Sequence, residues 1–225
     1  MADDSLTQLS KILGHQFNDS QLLEQALVHR SYRFKNNERL EFLGDAILSL
    51  VISDYLYRRF AKAKEGQLTR LRAYLVNGEM LSEIGFNLKL NHFILVGQGE
   101  RLSGGFKRKS IIADALEAII GAIYLDAGLA VAQHCILDWL KKYLAPLALN
   151  DIEKDPKTQL QEYCQANKQA LPDYELMKIE GQAHDQLFYV TCKINLAEPI
   201  LGMGKSRRLA EQVAAKKALE YLKNE

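Results

Sequence analysis

The stretch Asn37-Glu-Arg-Leu-Glu-Phe-Leu-Gly-Asp45, running on through Ala46-Ile-Leu-Ser-Leu-Val-Ile-Ser-Asp-Tyr-Leu-Tyr-Arg-Arg59, decides the fold of most of this chain. Leu40, Leu43, Ile47, Leu50 and Val51 recur at helical spacing, which predicts one long helix from Arg39 to Phe60. Glu38, Glu41 and Asp45 stand at i, i+3 and i+7. At about 100° per residue they fall within roughly 60° of one another, on the face opposite those leucines. Farther along the acidic side come Ser49, Ile52 and Leu56, so the helix is apolar nearly all round, the mark of a buried element. Acids in such surroundings need partners, because unpaired buried charge is costly. Only Arg39 offers a basic group close by in sequence.

A second segment shares the peculiarity. Ile111-Ile-Ala-Asp-Ala-Leu-Glu-Ala-Ile-Ile-Gly-Ala-Ile-Tyr-Leu125 holds only two acids, Asp114 and Glu117, one turn apart. Ala118 and Gly121 on the same side would let another helix backbone come close. Packed with their acidic faces together, the two helices bring four carboxylates to one place: Glu41, Asp45, Asp114 and Glu117. Two like charges about 4 Å apart at an effective dielectric near 20 repel by roughly 4 kcal/mol, so the cluster must bind cations or protonate. All-oxygen ligation selects hard ions, Mg²⁺ or Mn²⁺. The competing reading is a solvated acidic face paired with lysine and arginine.

Around these two segments the chain up to Leu149 reads as helical. Further patterns run over Gln67 to Val76, Glu79 to Phe86, Lys109 to Ala127 and Val131 to Tyr143. Gly97-Gln-Gly99 and Ser103-Gly-Gly105 lack the strand–turn–helix frame of a dinucleotide fingerprint. The histidines show no paired spacing that would suit zinc. The composition shifts between Pro146 and Pro156, where a polar stretch reads as a linker over 150–155. A helix from Lys157 to Asn167 follows, then strands over Tyr174 to Glu180, Leu187 to Ile194 and Pro199 to Gly202, and an Ala-rich helix from Ser206 to Lys223. The expected architecture is multidomain: an all-α domain over 1–149, then a small α+β (α-β-β-β-α) domain over 156–225.

With 225 residues, 48% hydrophobic and 25% charged, the chain can bury a sizeable core, which excludes wholesale disorder. The formal net charge of +1 names no partner, so a nucleic-acid site must show as a local patch. One such patch is Lys205-Ser-Arg-Arg208 at a helix start, where backbone N–H groups also favour phosphate. Three scattered cysteines, Cys135, Cys164 and Cys192, fit a reducing compartment better than a disulfide scaffold. No secretory leader is visible at the N-terminus, and the segment Ile111 to Leu125 is too short and too interrupted for a bilayer. The expectation is a cytoplasmic protein with no membrane partner.

These motifs together resemble bacterial ribonuclease III. Asn37 to Asp45 is similar to that family's signature. Ser103 to Glu117 resembles its second acidic motif, and His29-Arg-Ser31 and Glu65-Gly-Gln-Leu-Thr69 match further segments. Asp155 to Tyr163, Gly181 to Gln186 and Gly202 to Ala218 resemble a double-stranded RNA-binding domain. The resemblance spans practically the whole chain. It implies a Mg²⁺-dependent homodimeric endonuclease cutting double-stranded RNA to 5′-phosphate and 3′-hydroxyl ends with short 3′ overhangs. It also implies processing of ribosomal RNA precursors and structured transcripts. By likeness, Glu41, Asp45, Asp114 and Glu117 hold metal, Asp45 and Glu117 act in catalysis, and Glu38 and Glu65 support them. Phe42 matches a residue that inserts into the partner subunit, where packing alone would place it in the core. Thr158, Gln161, Glu162 and His184 are assigned to minor grooves, and Lys205, Ser206, Arg207 and Arg208 to phosphates. The alternative function is a non-catalytic double-stranded RNA-binding protein; substituted acids would mark it, and the acidic positions are intact.

Overall fold

The computed structural model describes residues 2–148, 155–182, 185–195 and 198–224. Backbone contacts divide it into two units, Met1–Ile152 and Glu153–Glu225. The first unit is helical: α1 (Ala2–Leu13), α2 (Ser20–Ala26), α3 (Glu38–Arg59), α4 (Glu65–Leu75), α5 (Gly78–Asn87), α6 (Gln98–Leu102) and α7 (Lys109–Leu144). Single 3₁₀ turns lie at Leu90–His92 and Gly105–Lys107. The only pairing of extended backbone among its described residues is an isolated bridge, Val28 with Leu95.

Helix α7 joins the two helices expected over Lys109 to Ala127 and Val131 to Tyr143. The join is Gly128, whose φ of 82° and ψ of 177° break the helix in a left-handed conformation open to glycine. The whole span is long and apolar enough to cross a membrane by length and composition. Its apolar side chains from Ile111 to Ile123 are instead buried in the unit's core with Leu48, Ile52 and Leu56 of α3. The core is one continuous cluster, reached by Leu9 and Leu13 of α1, Leu71 and Leu75 of α4, and Leu81 and Ile84 of α5.

Helix α3 departs from the all-round burial expected of it. Leu40, Ile47, Leu48, Val51, Ile52 and Leu56 are buried, but Leu50, expected on the apolar face, is 55% exposed. Phe42 is 80% and Tyr57 72% exposed. At 100° per residue, positions 42, 50 and 57 lie within roughly 80° of one another, so they form one stripe that no other described element covers. The ordinary core-packing alternative for Phe42 does not hold in the single chain.

In the second unit α8 (Pro156–Ala166) and α9 (Arg207–Asn224) flank an antiparallel sheet in the order β1 (Asp173–Glu180), β2 (Leu187–Lys193), β3 (Ile200–Gly204). Asp155 caps α8 by accepting from Thr158 N–H at 3.1 Å, with Pro156 as the first helical residue. A bulge between Leu176 and Lys178 shifts the β1–β2 register. Gly202 of β3 lets α9 lie against the sheet, because a Cβ there would collide with the backbone of Ala210 and Ala214. Leu160, Cys164, Cys192, Ala214, Ala215 and Ala218 fill the space between.

Candidate metal centre and nucleic-acid interface

Helix α3 begins where the chain is tied to α2. Asn37 is buried and donates twice: its N–H to Val28 O at 2.9 Å and its side-chain amide to Ala26 O at 3.3 Å. Its carbonyl accepts from Leu40 and Glu41 N–H, so the first turn that carries the acids is fixed in place. Asn36 holds Glu38, accepting from its backbone N–H and donating to its carboxylate, both at 3.1 Å.

Opposite this turn lies α7. One oxygen each from Glu41, Asp114 and Glu117 come within 4.8 Å of one another. All three are half-buried, and none makes an ion pair among the described residues. Burial, then the charges of Asp45, Glu41 and Asp114, push Glu117 up to about 8. Burial and the charges of Asp114 and Glu38 raise Glu41 as well, against the pull of Arg30. Burial raises Asp114, with His29 and Arg30 opposing. A half-buried trio of oxygens that resist ionising together fits a hard divalent cation, which would replace the missing positive charge. Arg39, the expected neighbour, is exposed, and Arg30 from the α2–α3 connection supplies the local positive charge instead.

Asp45 lies outside the trio whose oxygens converge. It is exposed, yet near enough for its charge to act on Glu117 and Glu41. Glu38 is exposed beside the trio, 3.7 Å from Arg30. Glu65 is elsewhere: it heads α4, accepts from Thr69 Oγ1 at 2.7 Å, and lines a pocket of about 470 Å³ with Leu50, Tyr57 and Leu68.

Glu41 and Asp114 of the trio line a cleft of about 480 Å³ that also contains His29, Ser31, Glu38, Glu100, Arg108 and Ser110. Glu100 and Arg108 were not singled out from the sequence. They pair at 3.1 Å, and Gly105 is needed beside them because a Cβ there would collide with Glu100. Only the glycine run Ser103-Gly-Gly105 carried a signal of that close approach. His29 is placed by the strand-like bridge, donating its N–H to Leu95 O at 3.0 Å. Burial holds its pKa below the ordinary value, so the ring is neutral at pH 7.

On the second unit Gln161 and Glu162 are exposed on α8, and the Thr158 hydroxyl donates to Asp155 at 2.6 Å. Ser206 Oγ accepts from Leu209 N–H at the start of α9. Arg208 projects to solvent, whereas Arg207 is paired with Glu211 at 2.9 Å and Lys205 lies 3.6 Å from Asp185. Glu211 also binds Lys157 at 2.6 Å, so Arg207 shares its carboxylate with a second cation. His184 lies outside the described residues.

A helical unit whose half-buried acidic trio can take a divalent cation, followed by an α-β-β-β-α unit, is the pairing of a nuclease domain with a double-stranded RNA-binding module, as comparison with known proteins shows. A family model described as Ribonuclease-III-like matches residues 19–144, and one described as double-stranded RNA binding motif matches residues 156–222. Ribonuclease 3 of Shewanella denitrificans is 52% identical over 219 residues, and that of Shewanella loihica 54% over 220, each alignment covering 97% of both chains. The solved nuclease domain of ribonuclease III from Campylobacter jejuni is similar with 47% identity and a TM-score of 0.60, covering 62% of this chain and 97% of that one. The chain belongs to the ribonuclease III family, and it is an endoribonuclease of double-stranded RNA.

Proposed function

We propose that the chain works as a homodimer that uses Mg²⁺, with Mn²⁺ as a substitute, to hydrolyse phosphodiesters of paired RNA. The products carry 5′-phosphate and 3′-hydroxyl ends with short 3′ overhangs, and the substrates are ribosomal RNA precursors and structured transcripts of the cytoplasm. The observation that carries this reading is the convergence of Glu41, Asp114 and Glu117, with no cationic side chain paired to them among the described residues. A divalent ion bound there would supply Lewis-acid charge to the phosphate and its leaving oxygen and would lower the pKa of water. Glu41, Asp114 and Glu117 would hold that ion, and Asp45 at the rim would add its charge to the acidic group. Glu38, oriented by Asn36, adds negative charge at the edge of the cleft.

The stripe Phe42, Leu50 and Tyr57, which leaves large apolar area in water, supports the dimer. Phe42 inserted into the partner subunit's pocket beside Leu50 and Tyr57 would bring each Glu65 next to the other subunit's acidic centre. This accounts for an acid that stands apart from the trio on its own chain. In the second unit Thr158, Gln161, Glu162 and His184 would contact minor grooves, while Lys205, Ser206, Arg207 and Arg208 meet phosphates across the major groove.

The test is cleavage of a perfectly paired RNA of a few helical turns in Mg²⁺, Ca²⁺ or EDTA, beside Glu117→Gln. Cutting in Mg²⁺ alone, absent from the variant, is the expected result. Binding in every lane with cutting in none would leave only the RNA-binding role.

A further inference from the structure

One side chain in the acidic cleft has its protonation pattern dictated by backbone. His29 Nδ1 faces Ser31, 3.2 Å from the Ser31 backbone N–H and 2.8 Å from the Ser31 hydroxyl. A backbone N–H can only donate, so Nδ1 accepts and carries no proton. The hydroxyl is oriented too: Gly97 N–H donates to Ser31 Oγ at 2.9 Å, which leaves the hydroxyl hydrogen for His29. Gly97 can come this close because it has no Cβ; one built there would collide with the Ser31 carbonyl. The hydrogen-bond network thus assigns the single proton of the neutral ring to Nε2. Among the described residues Nε2 has no hydrogen-bond partner, and His29 lines the cleft with Glu41, Asp114, Arg30 and Arg108.

We propose that His29 is a substrate-contacting residue, its Nε2–H donating to a non-bridging oxygen of the RNA phosphate bound in the cleft, with Ser31 as the positioning residue that sets the tautomer. The inference rests on the nuclease reading and deepens it. A ring whose lone pair is turned to Ser31 cannot ligate a cation, so His29 is not a fourth metal ligand. A neutral donor also binds a phosphate oxygen without adding positive charge beside carboxylates that must hold a divalent ion. Arg30 and Arg108, in the same cleft, bring the charge that attracts the phosphate, and His29 fixes its orientation.

The experiment uses the full chain and paired RNA at saturating Mg²⁺, with His29→Ala, His29→Gln, Ser31→Ala and Glu117→Gln compared with wild type. His29→Ala should lower kcat about 10²-fold, the usual cost of one preorganised donor. Mn²⁺ affinity of the RNA-free protein should stay within about twofold of wild type. His29→Gln, whose amide nitrogen reaches the position of Nε2, should recover part of the rate, and Ser31→Ala should lose about tenfold in kcat. Imidazole ¹⁵N NMR of ¹⁵N-histidine-labelled wild type should show the Nε2–H tautomer at His29, with that proton shifting when duplex RNA is added in Ca²⁺.

Cleavage by His29→Ala within threefold of wild type would overturn the proposal. So would the Nδ1–H tautomer, or a tenfold loss of Mn²⁺ affinity, which would place His29 behind the metal carboxylates. If His29→Ala does not fold, His29→Gln and the NMR measurement decide. Failure of wild type to cut would sink the nuclease reading itself. Normal cutting by His29→Ala beside an inactive Glu117→Gln would sink this inference alone.

Discussion

Gly44 of α3 packs directly beneath the backbone carbonyl of Glu117 on α7, so closely that a Cβ on Gly44 would overlap that oxygen. The contact is reciprocal, since a Cβ on Gly121 would overlap the carbonyl of Leu40. Residue 40 faces 121 and residue 44 faces 117, so the helices run antiparallel here. Their separation is set by backbone against backbone, and it is this approach that brings the carboxylates of Glu41 and Glu117 together. Gly44→Ala should therefore push α7 outward, destabilise the protein by about 1–3 kcal/mol or more, and lower cleavage beyond what the lost stability explains. Thermal denaturation and cleavage well below the variant's Tm separate the two effects; an unchanged Tm would mean that the helices part without cost.

Glu117→Gln should stabilise the metal-free protein while abolishing cutting. The folded-state pKa of Glu117 is raised to about 8 from an ordinary 4.5, so between those values the folded chain holds a proton that the unfolded chain releases. Metal-free stability consequently falls as pH rises through that window. The glutamine cannot ionise and escapes the penalty. The gain at pH 8 should be about 1–2 kcal/mol, less than the full shift converts to, because the group is part-exposed and screened by water. Denaturation in EDTA at pH 5 and pH 8 checks it: the two proteins should converge at the lower pH.

Phe42→Ala should shift the chain toward monomer in sedimentation experiments without lowering the stability of the helical unit, because the ring is 80% exposed on its own chain. A fall in Tm at a protein concentration where wild type is already monomeric would instead place the ring in the core.

Asp126 is a buried anchor for the turn between α1 and α2. Its carboxylate, 1% exposed, accepts from the N–H groups of Asn18 at 3.0 Å and Asp19 at 2.8 Å, and His15 Nε2 lies 2.8 Å away. Burial alone would raise its pKa, but the hydrogen bonds outweigh burial and hold it below the ordinary value. Its contribution is therefore present above the unfolded pKa of 3.8 and is lost as pH falls through the lower folded value. Asp126→Asn should cost about 1–3 kcal/mol at pH 7 and flatten the acid limb of the stability curve. Denaturation midpoints between pH 2 and pH 7 would show this, and equal acid limbs in the two proteins would remove the role.

Arg208→Ala should reduce the slope of log K against log salt for duplex binding by roughly 0.9, one phosphate's worth of counterions. Arg207→Ala should change it less, because Glu211 already pairs with that guanidinium at 2.9 Å. Equal slopes for both variants would mean that the Arg207–Glu211 pair opens on the RNA.

The sequence by itself determined what depends on spacing along one element. Glu38, Glu41 and Asp45 had to share a helix face, as did Asp114 and Glu117, because helical rotation per residue is fixed. The order α-β-β-β-α and the Gly121 contact surface were legible for the same local reason. Tertiary structure alone decided what depends on which elements meet. It separated Asp45 from the oxygens that converge, exposed Leu50 with Phe42 and Tyr57, and paired Arg207 with Glu211. It brought Arg30, Glu100, Arg108 and the Ser31-held His29 into the acidic cleft from segments up to about 85 positions away in the chain. Those placements follow from backbone approaches that a linear pattern does not encode, such as Gly44 against Glu117 and Gly97 against Ser31. A helix period fixes direction around one axis; only the packed fold fixes the distance between two.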